Sequence, residues 1–208
     1  NGISHHVAPY DVDALLIEAD LLPSWFWPYL HGKAAPAGVN ESFAAIWSKL
    51  IPLAMPKRPQ WVLRDYHSPN LLWIPERKGL QRVGLIDTQD AVMGHGAYDL
   101  VSMTQDARVD IPDALATRTV EHYLALRKSD AAFDRDAFLT AYAVLGAQRA
   151  TKILGIFARL SKRDGKHGYL RHMPRVSRAL ARNLEHPALL PLRQWYLEHL
   201  PEALVVKG

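Results

Sequence analysis

The sequence predicts an α+β protein, mostly α, on three observations. Apolar residues recur at helical spacing over most of the chain, the period shortens to strand-like runs only between residues 61 and 86, and prolines punctuate the helical stretches. Residues 11–22 place Leu15, Leu16, Ala19 and Leu22 at helical spacing, with Asp11 positioned as the cap and Pro23 expected to end the run. The Trp25-Phe26-Trp27 cluster that follows is expected to pack against the domain body, since aromatic side chains supply large core area. A second helix carries Phe43, Ile46, Trp47, Leu50 and Ile51, with Asn40 as its cap and Pro52 and Pro56 closing it.

The middle of the chain then reads as short strands. Trp61-Val62-Leu63 forms a lead-in, and Leu71-Leu72-Trp73-Ile74 and Arg82–Ile86 form a hairpin around a turn at Glu76–Gly79. From Ala97 onward helices are expected over about 97–108, 112–128, 134–161, 168–185 and 188–199, with Pro112 at the first helical position. There is no internal repeat and no low-complexity segment.

At 208 residues the chain suits one large domain, and a chain of this length buries a core without staples. The absence of cysteine excludes disulfides, thiolate metal sites and a cysteine nucleophile, and suits a cytoplasmic protein. No stretch approaches the roughly 18 consecutive apolar residues of a membrane span. Asn1 to Tyr10 carries no Lys, Arg or apolar run, so neither a signal peptide nor a membrane partner is expected. His5-His6 reads as a chain-end segment and not as a metal site. The chain begins without Met, as an excised piece would. The net charge of +4 and pI of about 9.3 suit nucleic acid, an anionic surface or a phosphate-bearing ligand alike. No recognised nucleic-acid module accompanies the charge, so nucleic acid is not the expected partner.

Chemistry concentrates in Val62-Leu63-Arg64-Asp65-Tyr66-His67-Ser68-Pro69-Asn70-Leu71-Leu72-Trp73 and in Gly84-Leu85-Ile86-Asp87-Thr88-Gln89-Asp90. Taken alone, Asp65 and Asn70 are ordinary turn residues. The hairpin, however, brings the mouths of both segments together, so Asp65, Asn70 and Asp87 converge at strand ends. Hard oxygen donors beside an open loop are what Mg²⁺ requires, and a carboxylate next to them can orient an attacking hydroxyl and accept its proton.

The pattern Asp65-x-His67-x-x-Asn70, then strand, turn, strand and Ile86-Asp87-x-x-Asp90, resembles the aminoglycoside phosphotransferase and choline kinase group, which shares the catalytic lobe of protein kinases. The resemblance implies that Asp65 is the catalytic Asp, that Asn70 and Asp87 are the metal ligands, and that Leu72 and Ile86 lie under the adenine of ATP. The run Gly94-His95-Gly96-Ala97-Tyr98-Asp99-Leu100 resembles the same family, where the Asp before the next helix is a structural brace. Within the group the likeness is closest to bacterial kinases of N-acetylmuramate and N-acetylglucosamine. It is carried by Tyr10-Asp11, Leu15-Leu16, Glu18, Trp25-Phe26, Gln105-Asp106-Ala107-Arg108 and Leu154–Leu160. It implies ATP and Mg²⁺ as cofactors and a small sugar as the acceptor. Two departures stand out: Leu63 occupies a position often filled by His in kinases, and Asp87 is followed by Thr88-Gln89. A Gly-rich phosphate loop and a strand Lys paired with a helix Glu do not occur before residue 10, so residues 1–208 are expected to form a C-terminal catalytic lobe without its N-terminal nucleotide lobe.

Other residues admit more than one reading. His67 either aligns Asp65, contacts substrate or supports the loop; Asp90 sits on the metal side or braces its loop; Arg64 supports the loop or touches substrate. Residues 149–178 carry nine Lys and Arg against one acid, Asp164. They form either a solvated face or a basic rim for an anionic substrate. Two rival functions remain at this level. One is a metal-dependent phosphoesterase built on Asp65, His67, Asp87 and His95, and the other is a non-catalytic kinase-like binding module.

Overall fold

In the computed structural model, residues 6–205 are described, so His5 of the chain-end pair lies outside them. Asp11 caps α1 (Val12–Ala19), accepting a hydrogen bond from the Ala14 N–H at 3.0 Å. Pro23 does not end the helical run as expected. The chain continues through a π-helical turn at Leu22–Phe26 and into α2 (Trp27–His31). Proline is tolerated there because it falls in a first turn, where its missing N–H has no partner to lose. Phe26 and Trp27 are buried and Trp25 is half-buried, in line with the expected packing of that cluster. The next helix, α3 (Ala37–Leu50), starts after Pro36, so Asn40 lies inside it and does not cap it.

Among the described residues four short strands form two antiparallel ladders. The predicted hairpin is β2 (Leu71–Trp73) with β3 (Val83–Leu85), in a register that pairs Leu71 with Leu85 and Trp73 with Val83. The lead-in strand β1 (Gln60–Val62) pairs with β4 (Val92–Gly94), a strand the sequence did not announce because its apolar run is too short to show a period. Residues 8–10 run along the other edge of β4, through Tyr10 N–H to the Met93 carbonyl at 2.8 Å and Met93 N–H to the Ala8 carbonyl at 2.9 Å. This pairing brings Tyr10 to the site.

The helical body is organised on α6 (Arg135–Asp164), capped by Asp134 through the Asp136 and Ala137 N–H groups at 3.0 and 2.9 Å. It ends at Gly165, whose φ of 65° is the left-handed stop that glycine adopts without penalty. Against α6 pack α1, the π-helical turn, α4 (Ala97–Thr104) and α7 (Met173–Asn183). At Gly155 a Cβ would stand 2.4 Å from the Leu21 backbone, so only glycine permits this approach. The single helix expected over 168–185 divides into a 3-10 turn (His167–His172) and α7, with Pro174 in the first turn of α7. Pro112 sits just before α5 (Asp113–Arg127) and not inside its first turn. The last helix, α8 (Leu190–His199), closes over α3, where the Phe43 and Trp195 rings lie 4.5 Å apart and the Trp195 indole N–H donates to Ser42 Oγ at 2.9 Å. The result is an α+β protein, mostly helical. Among the described residues no helix is long and apolar enough to cross a membrane.

Candidate active site

Asp65 sits at the end of a tight, strained turn. Its N–H donates to the Leu63 carbonyl at 2.7 Å, and Arg64 between them has φ of 63°. Closure over two residues at positive φ is the rare, strained form of the γ-turn. Such a conformation costs about 1–3 kcal/mol and persists only where its surroundings over-determine it. They do so here. Asp99, in the first turn of α4, accepts from Leu63 N–H at 2.8 Å with one carboxylate oxygen and from Arg64 N–H at 3.0 Å with the other. Ser102 Oγ donates to the Arg64 carbonyl at 3.0 Å. Burial holds the Asp99 carboxyl above its ordinary value, and the two backbone donors only partly oppose it. The Arg64 guanidinium, ambiguous in the sequence, donates to Glu18 at 2.7 Å and lies 5.3 Å from the centre of the Tyr10 ring.

Asn70 reaches both other residues of the predicted trio. Its Nδ2 donates to the Asp65 carbonyl at 3.0 Å and stands 3.4 Å from Asp87 Oδ2. The hairpin register causes this: Ile86 N–H donates to the Asn70 carbonyl at 3.2 Å, one pair beyond β2–β3, so Asp87 falls at the mouth beside Asn70. Asp87 also has positive φ, 61°, and Gln89 Nε2 clasps its Oδ1 at 2.6 Å. With Nδ2 turned to the Asp65 carbonyl and to Asp87 Oδ2, Asn70 Oδ1 makes no hydrogen bond among the described residues. One carboxylate and one amide oxygen fit Mg²⁺, which completes its shell with water and phosphate oxygens. Leu72 and Ile86 flank this mouth with 47% and 48% of their surface exposed, and the register puts them on one face of the hairpin, with Trp73, Val83 and Leu85 on the other.

His67 is buried, and its Nε2 lies 4.0 Å from Asp65 Oδ1, too far for a direct hydrogen bond. Its imidazole is held below the ordinary histidine range, first by burial and then by Arg108 and Arg149, with Asp106 opposing. Asp90 is exposed and makes no hydrogen bond or ion pair among the described residues; Gln89 is the residue that touches Asp87. The four groups of the phosphoesterase alternative do not gather: among the described residues no three of His, Asp and Glu form a metal-holding cluster. His95 instead accepts the Ala97 N–H at 3.1 Å through Nδ1, at the start of α4.

Beside Asp65 opens a cavity of about 330 Å³, lined on its apolar side by Ile153, Ile156 and Phe157. Its floor is a network that sequence reasoning missed. Glu18 receives Arg64, the Lys152 ammonium at 3.1 Å, Gln148 Nε2 at 3.2 Å and the Tyr10 hydroxyl, while Lys152 also donates to the Tyr98 hydroxyl at 2.6 Å. Burial pushes the Glu18 carboxyl up, but Lys152 and these hydrogen bonds outweigh it and hold the carboxyl below its ordinary value. Lys152 and Arg149 are buried, so this part of the basic stretch is not a solvated face. Asp106 fixes the far wall by accepting from the Ser68, Arg108 and Val109 N–H groups at 3.0, 2.8 and 3.2 Å.

Residues 8–139 match the family described as phosphotransferase enzyme family. The chain is also similar to three kinases of N-acetylmuramate and N-acetylglucosamine. The one from Caulobacter vibrioides is 36% identical over 201 residues, covering 97% of this chain and 54% of that protein. The one from Neisseria meningitidis is 31% identical over 189 residues, covering 88% and 54%. The one from Pseudomonas putida is 32% identical over 175 residues, covering 80% and 48%. The chain thus spans about half the length of the curated relatives it matches.

Proposed function

The chain belongs to the phosphotransferase enzyme family, and from that premise we propose that residues 1–208 form the C-terminal catalytic lobe of an ATP- and Mg²⁺-dependent kinase of an amino sugar. The reading is supported by Asn70, which bonds the Asp65 backbone carbonyl and faces Asp87 Oδ2, and by the cavity of about 330 Å³ that Asp65 lines. The similar kinases support N-acetylmuramate or N-acetylglucosamine as the acceptor. The exposed apolar side chains of Leu72 and Ile86, on one face of the hairpin, support a nucleotide lying against that face, with a second lobe closing over it.

In this reading the acceptor hydroxyl donates a hydrogen bond to the Asp65 carboxylate, which aims its oxygen at the terminal phosphorus of ATP. As the new P–O bond forms, the bond to the ADP oxygen breaks and the hydroxyl proton passes to Asp65. Asn70 and Asp87 would hold the metal, which would neutralise charge on the phosphates. The strained turn at Arg64 serves positioning, since misplacement by about 1 Å costs on the order of 10² in rate.

The test uses the full-length protein with labelled ATP and each sugar. The expected product is one sugar phosphate per ATP consumed. Asp65→Asn should keep nucleotide affinity within a few-fold while kcat falls by about 10²–10⁴. Release of free phosphate with no phosphorylated sugar would instead favour hydrolysis and remove the kinase reading.

A further inference from the structure

The charges around the cavity beside Asp65 do not balance. Its carboxylates are Glu18, Asp65 and Asp106. Glu18 is committed to Arg64 and Lys152 at 2.7 and 3.1 Å. Asp106 is committed to three backbone N–H groups, at 3.0, 2.8 and 3.2 Å. Three more guanidinium groups, those of Arg108, Arg149 and Arg159, line the same cavity. Among the described residues none of the three has a carboxylate oxygen within 4.0 Å. Asp164, the nearest acid on the Arg159 helix, is taken by Arg163 at 2.6 Å. Arg149 is buried and has one recorded bond, Nη1 to the Gln105 carbonyl at 3.2 Å, while Arg159 Nε is hidden from solvent with no protein acceptor.

A buried cation without a counter-charge is costly, and a structure retains one where something else supplies the charge. Guanidinium groups match carboxylates in particular, through paired N–H donors in a fixed fork. The opposite wall, Ile153, Ile156 and Phe157, offers an apolar face to the body of the same molecule.

We infer that Arg108, Arg149 and Arg159 form an anion subsite that receives the carboxylate of an acidic amino-sugar acceptor and sets the preference for acidic over neutral sugars. The inference rests on the kinase reading for its reaction, but the subsite is testable by binding alone. An anion could also be the phosphate being transferred, and the two sources leave different signatures. A phosphate contact acts on every acceptor, whereas a carboxylate contact acts only on acidic ones.

The measurement is the ratio of kcat/KM for N-acetylmuramate to that for N-acetylglucosamine in the full-length enzyme, with Arg159→Gln and Arg108→Gln as variants. Arg149 is left intact because its burial makes loss of folding the first effect of changing it. The ratio should fall about tenfold or more in Arg159→Gln, less in the exposed Arg108→Gln, and recover partly in Arg159→Lys. An equal loss on both sugars would assign the cations to phosphate, and an unchanged ratio would leave them without a ligand role; either overturns the inference. If neither sugar is phosphorylated by the wild-type protein, the kinase reading fails, and calorimetry decides the subsite separately. Binding of N-acetylmuramate but not N-acetylglucosamine, lost in Arg159→Gln, upholds it, and no difference between the two sugars overturns it.

Discussion

Replacing Asp99 by Asn tests whether the strained turn before Asp65 is held from α4. The carboxylate accepts two backbone N–H bonds, from Leu63 at 2.8 Å and Arg64 at 3.0 Å. An amide has one acceptor oxygen, so one bond survives and the other N–H faces an NH₂ group. Losing a bond to a charged acceptor costs about 1.5–3 kcal/mol, and leaving the donor buried adds to that cost. Against this, the amide escapes the desolvation that already pushes the Asp99 carboxyl up. The net expectation is about 1–3 kcal/mol of lost stability, read as a lower urea midpoint at unchanged m. The Arg64 turn holds about 1–3 kcal/mol of strain, comparable to the restraint removed, so the turn should relax and Asp65 should shift. In the full-length enzyme kcat should then fall by about 10- to 100-fold, with nucleotide affinity little changed. A variant that unfolds within about 0.5 kcal/mol of wild type and keeps its kcat would refute the reasoning. The turn would then be set by its own sequence and not by Asp99.

Three further outcomes follow from other parts of the molecule. Asp87→Asn should raise the Mg²⁺ concentration needed for nucleotide binding by the full-length protein, because a carboxylate ligand becomes neutral; a metal titration unchanged from wild type would remove Asp87 from the site. Gly155→Ala gains about 1 kcal/mol of helix propensity, but its Cβ would meet the Leu21 backbone at 2.4 Å. Overpacking against backbone costs about 1–3 kcal/mol and should outweigh that gain, for a net loss of about 1–2 kcal/mol, and a higher melting temperature in this variant would show that the Leu21 segment and α6 are not locked together there. His67 and His95 are both held below the ordinary histidine range, mainly by burial. The unfolded chain therefore binds more protons just below pH of about 6.5, and stability should decline as pH drops through that value. His95→Asn keeps an acceptor for the Ala97 N–H and should flatten that decline in melting temperature between about pH 7 and pH 5.

What was legible in the sequence depended on how far each residue acts along the chain. Asn70 and Asp87 flank one hairpin whose register brings them together, and Asp65 lies only five positions before Asn70, which bonds its backbone carbonyl. Helix positions from 97 onward were legible for the same local reason, an apolar period sustained over many residues. Boundaries failed where proline chemistry was misread: Pro23 opens a helical turn that it was expected to prevent, and Pro36, not Asn40, precedes α3. Strand β4 was invisible because three residues show no period, and its pairing with β1 is what draws Tyr10 across to the Arg64 side chain. The cavity was the least legible part. Glu18 meets Arg64 across 46 positions and Gln148 across 130, and nothing local marks those partners. The basic stretch from 149 shows the limit most clearly. In sequence Arg149, Lys152 and Arg159 are indistinguishable from Lys162 and Arg163, since all sit on one long amphipathic helix. Tertiary packing separates them: Arg149, Lys152 and Arg159 are buried or line the cavity beside Asp65, and Lys162 and Arg163 are left to water. A charge run on a helix therefore acquires meaning only when the elements packed against it have used up their own acids, as Glu18 and Asp106 do here.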